Sequence, residues 1–77
     1  MDFEVGNIVR HKKTGVLEVV IDFCKVKVNG TWFDGIIYLG EDRNTGLPTK
    51  FCRTKEEFEQ EFEIVLPNIK VTKGLEV

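Results

Sequence analysis

The chain has 77 residues, 42% of them hydrophobic and 31% charged, with a formal net charge of −2. That is enough for one domain with a small core, burying only about 60% of its unfolded surface, and too apolar for intrinsic disorder. The near-neutral balance argues against a generic nucleic-acid binder, whose affinity comes largely from Lys and Arg neutralising phosphates.

Met1-Asp2-Phe3-Glu4 lacks the basic region and apolar run of a signal peptide. No apolar stretch reaches the length of a membrane span. The expected location is the cytoplasm, where Cys24 and Cys52 would stay reduced. The two lie far apart with no Cys-x-x-Cys pair, so no zinc framework is present.

In chain order, Val5-Gly6-Asn7 reads as a turn into a first strand at residues 8–12, and Thr14-Gly15 turns the chain back. In the second strand Leu17, Val19, Ile21 and Phe23 fall on one face at period two, opposite Glu18, Val20 and Asp22. Such a half-buried pattern suits an antiparallel sheet. The strand runs on to Val28, and its length predicts a bulge near residues 23–25. Asn29-Gly30 then gives the strongest short-range hairpin signal, because a type I′ turn needs positive φ at both central positions. Asp34-Gly35 is the alternative turn. It would leave one flank short, so Asn29-Gly30 is preferred.

On the return strand Phe33, Gly35, Ile37 and Leu39 form one set, and Trp32, Asp34, Ile36 and Tyr38 the other. A polar loop over residues 40–48 is punctuated by Gly46 and Pro48. A fourth strand follows at 49–53. Thr54-Lys55-Glu56-Glu57 is a capping box, predicting a short helix over 55–61 with Phe58 and Phe62 on one face. Residues 63–66 return as a fifth strand. The domain is expected over 1–66. The tail, 67–77, carries a weakly strand-like Ile69-Lys70-Val71-Thr72 that would add a strand, swap with a second copy or be disordered. The predicted core is Val9, Leu17, Val19, Ile21, Phe33, Ile37, Phe58 and Phe62.

Phe3, Val5-Gly6-Asn7, Val9 and Gly15 resemble the opening of small SH3-like barrels of the KOW kind. Over residues 5–66, with gaps, Arg10-His11-Lys12-Lys13-Thr14-Gly15, Glu18-Val19, Ile36-Ile37-Tyr38, Phe51-Cys52-Arg53-Thr54 and Phe58 resemble an uncharacterised bacterial and phage SH3-like domain family. That family has an Arg-His-x-Lys-Gly stretch and a Trp-Val-Arg-Pro segment entering a short helix. Phe51 and Thr54 stand where Trp and Pro are usual, and residues 25–34 extend the hairpin. The resemblance implies a small, mainly β, SH3-like antiparallel barrel with one short C-terminal helix, in a phage or bacterial accessory protein. It implies no activity.

No catalytic constellation emerges. The sequence contains no serine, and His11 is its one histidine. Cys24 and Cys52 read as buried structural thiols, since free cysteine is among the most buried residue types. His11 lacks the companion ligands of a metal site, so neither metal nor cofactor is expected. The carboxylates of residues 56–63 read as a solvated acidic face, without the alternation of a calcium loop. What remains is binding. With the Phe33 side in the core, Trp32, Ile36 and Tyr38 would be left exposed, and exposed aromatics mark interaction surfaces. The expectation is a non-enzymatic module making protein–protein contacts through that face, with a homodimer as one form. The alternative is nucleic-acid binding through Arg10, His11, Lys12, Lys13 and Arg53.

Overall fold

The structure, a computed structural model, describes residues 2–66. It has five strands and one helix: β1 (Ile8–His11), β2 (Leu17–Val28), β3 (Thr31–Glu41), β4 (Pro48–Thr54), α1 (Lys55–Glu61) and β5 (Phe62–Leu66). The strands form one antiparallel sheet in the order β4-β3-β2-β1-β5. The expected barrel is not closed, because β4 and β5 are the two edges of this sheet. The strand expected at Ile69–Thr72, like the whole 67–77 tail, lies outside the described residues.

The β2–β3 hairpin turns at Asn29 (φ 50) and Gly30 (φ 82), the left-handed pair that an Asn-Gly turn supplies. From there Val28 faces Thr31, Cys24 faces Gly35 and Asp22 faces Ile37. The register then slips between Val20 and Asp22, so the bulge lies at Ile21 rather than at residues 23–25. One extra residue flips the alternation. Leu17 and Val19 consequently point to one face, while Val20 and Phe23 point to the other.

The bulge leaves Leu17 and Val19 on the same face as Phe33 and Ile37, as the predicted core requires, but that face is the open one. The buried side chains are Phe3, Val9, Val20, Ile36, Tyr38, Phe58 and Phe62. Leu17 is 57% exposed and Phe33 46% exposed, and Val19, Ile21 and Ile37 are half-buried. Val9, Phe58 and Phe62 are where the sequence puts them. The helix decides which face is covered. Its cap is the predicted one, with the Glu57 N–H donating to Thr54 Oγ1 at 3.2 Å. At the other end the Phe62 N–H donates to the Phe58 carbonyl, and the chain passes from helix to strand without a loop. Phe58 and Phe62 stack with centroids 4.3 Å apart, Phe3 meets Phe58 edge-on at 4.8 Å, and both stacked rings lie 5.2 Å from Tyr38. Aromatic pairs at these distances add to the value of their burial. Buried Asn7 anchors the chain start: its side-chain oxygen accepts from the Glu4 N–H, and its carbonyl accepts from the Val20 N–H.

Candidate binding surfaces

Trp32, Ile36 and Tyr38 do not form a surface together. Ile36 is 1% exposed and Tyr38 4%, both beneath α1, which corrects the expectation of an exposed trio. Trp32, 62% exposed, stands alone near the hairpin tip, with the Lys27 ammonium 5.6 Å from its ring centre.

The basic run is largely spent on local acids. Arg10 Nε donates to Glu63 Oε2 at 3.0 Å across the β1–β5 pair. The Thr14 N–H donates to His11 Nδ1, which leaves the ring proton on Nε2, facing Glu61 Oε1 at 3.1 Å. Arg53 donates through Nε to Tyr38 Oη at 2.8 Å and through Nη1 to Glu61 Oε2 at 2.9 Å, with Glu57 at 3.9 Å. Burial raises the Tyr38 phenol above its usual 10, against the opposing pull of the Arg53 hydrogen bond. Among the described residues, Lys12 and Lys13 have no ion pair and lie exposed in the β1–β2 turn.

This charged network borders a cleft of about 550 Å³ floored by Tyr38, Phe51 and Phe62, between the β1–β2 turn and the β3–β4 loop. Glu18 lines it, its carboxylate packed over Gly40, where any Cβ would collide with Glu18 Oε2. Partial burial raises the Glu18 carboxyl above its usual value, while His11 and Arg53 draw it down. The cleft is a mixed-charge site, and no cluster of three or more metal-binding side chains occurs among the described residues.

The larger feature is the sheet face away from α1. Register places Ile8, Leu17, Val19, Cys24, Val26, Val28, Phe33, Ile37 and Leu39 on it. Leu17, Val28 and Phe33 are exposed, and Val28 and Phe33 border a pocket shared with Lys55, Glu56 and Glu59 of α1. Gly35 sits in its middle, and a Cβ there would lie 2.6 Å from Val26 Cγ2 and 2.8 Å from Cys24 Sγ. Cys24 of β2 and Cys52 of β4 lean over that gap until their sulfurs are 3.1 Å apart. They are not buried structural thiols, since Cys24 is half-buried and Cys52 exposed. Partial burial of its sulfur, together with the neighbouring Cys24, pushes the Cys52 thiol up to about 11.

Sequence reasoning passes over this cysteine pair. Counting outward from Asn29-Gly30 sets Cys24 opposite Gly35, which is the available signal, but nothing in the sequence fixes the β3–β4 register that brings Cys52 alongside. No helix among the described residues is long and apolar enough to cross a membrane. No family model matches the chain, and neither a curated protein nor a solved structure does.

Proposed function

We propose that the chain is a non-enzymatic binding module of SH3-like type that makes a protein–protein contact through the open face of its sheet, as an accessory to a larger partner. One observation carries the reading: Leu17, Val28 and Phe33 stand exposed on a face whose remaining residues are mostly aliphatic. Exposed apolar side chains of this size favour association over hydration. The SH3-like assignment is supported by the meander β1–β4, the single helix, and the return of β5 to the side of β1.

Nucleic-acid binding through Arg10, His11, Lys12, Lys13 and Arg53 has less support. Arg10 and Arg53 are engaged by Glu63 and Glu61, and a neutralised cation releases few counterions from a phosphate chain, while the His11 ring is held by Glu61.

The test is capture of partners from lysate by the wild-type chain and by a Leu17→Asp/Phe33→Asp variant, with and without nuclease and at low and high salt. The proposal expects capture that survives nuclease and salt and is lost in the variant. Capture abolished by nuclease, or falling steeply with salt, would move the site to the basic run. Sedimentation of the purified chain over a concentration series reads whether a second copy occupies the face.

A further inference from the structure

We infer that Cys24 and Cys52 form a redox-active dithiol, which a disulfide oxidant of the glutathione class closes into an intrachain bond across β3. The observation is their juxtaposition. The two cysteines belong to strands that are not neighbours and pair with different residues of β3, Cys24 with Gly35 and Cys52 with Ile37, yet their sulfurs meet at 3.1 Å over the space that Gly35 leaves open beside Cys24. Any other residue there would place a Cβ against the Cys24 sulfur. The pair lies on the uncovered face, with Cys52 exposed, so a small oxidant can reach it.

The chemistry balances as thiol–disulfide exchange. One cysteine thiolate attacks the oxidant's disulfide, forming a mixed disulfide and expelling one thiolate. The second cysteine sulfur then attacks the protein-bound sulfur and expels the other. The protein loses two S–H hydrogens and gains one S–S bond, and the oxidant is reduced to two thiols.

Closure also has a mechanical consequence. The sulfurs must travel from 3.1 Å to about 2.05 Å. β2 and β4 are two strand spacings apart, about 9.5 Å in a flat sheet, whereas the Cα atoms of a disulfide lie within about 6.8 Å. In the reduced form the two side chains already lean toward each other across β3, and the bond would pull β2 and β4 closer over it. Oxidation therefore narrows the open face at its centre.

The experiment treats the full chain with oxidised glutathione and reads intact mass, the number of alkylatable thiols, and a peptide map. The expected product is a monomer lighter by two hydrogens, with no free thiol and a crosslinked peptide pair containing Cys24 and Cys52. Reductant should reverse it. The Cys24→Ser and Cys52→Ser variants, checked for native circular dichroism, should each give only a glutathione adduct. The inference is overturned if the wild type ends as two glutathione adducts or as intermolecular dimers, or if both thiols remain alkylatable under conditions that oxidise a free dithiol control.

Discussion

The two faces of the sheet are built from the same strands, but α1 packs on only one of them. On the face beneath α1, Val9, Val20, Ile36 and Tyr38 meet Phe3, Phe58 and Phe62 and lose nearly all contact with water. On the other, Val19, Ile37 and Leu39 are shielded only by their neighbours, and Leu17 and Phe33 stand out into solvent. Hydrophobicity within the strands does not choose between them. The choice is made by a seven-residue helix whose two phenylalanines, four apart, need a flat aromatic partner, and Tyr38 supplies it.

The sharpest way to break this contrast uses one residue type on both faces. Phe58→Ala should cost about 3–5 kcal/mol, enough to unfold a domain whose whole stability is roughly that. Phe33→Ala should cost under about 1 kcal/mol. Urea titrations of the two variants decide it, and equal costs would mean that the open face is covered after all.

Gly35→Ala is the exception expected on the open face. Its Cβ would press on Val26 and Cys24 and come within 3.3 Å of the Arg53 carbonyl. Overpacking of this kind costs about 1–3 kcal/mol, readable as a drop in melting temperature. An unchanged melting temperature would mean that Val26 and Cys24 can move aside without cost.

Thr54→Ala removes the helix cap and should cost about 1 kcal/mol. Because α1 covers only one face, hydrogen exchange should quicken at the amides of α1 and β5 before those of the hairpin beyond Gly35.

The smallest effect concerns Glu18. Its carboxyl is raised above 4.5 in the folded chain, so the ionised form is the less comfortable one there. The native state then binds the proton more tightly than the unfolded chain, and ionised Glu18 weakens the fold at neutral pH. Glu18→Gln should raise the urea midpoint slightly at neutral pH, and the gain should vanish in acid below 4.5, where Glu18 is protonated in both states. A gain that persists unchanged in acid would point to packing over Gly40 instead of charge.

Much of the element order is legible in the sequence because its signals are local. Asn29-Gly30 demands its turn, Thr54 and Glu57 demand their cap, and strand alternation follows from a period of two. The choice of covered face is not legible, because alternation yields two candidate sets and only the docking of Phe58 and Phe62 on Tyr38 decides which is buried. Alternation alone places Leu17 and Phe33 inside and Ile36 and Tyr38 outside, the reverse of the buried set. The basic run is likewise plain as Arg10-His11-Lys12-Lys13, yet its neutralisation depends on Glu61 and Glu63, some fifty residues later. The cysteine contact depends on the pairing of β4 with β3, which no short-range rule specifies.

The return of β5 to β1 also sets a clock. Val9 pairs with Ile64, so the two ends of the domain must meet across nearly its whole length before the sheet is complete. The Asn29-Gly30 hairpin can form alone in about 1–10 μs, whereas sheets dominated by such distant pairings fold in about milliseconds to seconds. Until β1 and β5 join, both carry unpaired backbone edges. Pulse-labelling during refolding should find the β2–β3 amides protected well before those of β1 and β5. It is in that window, more than in the native state, that copies of this chain are most prone to pair strand to strand.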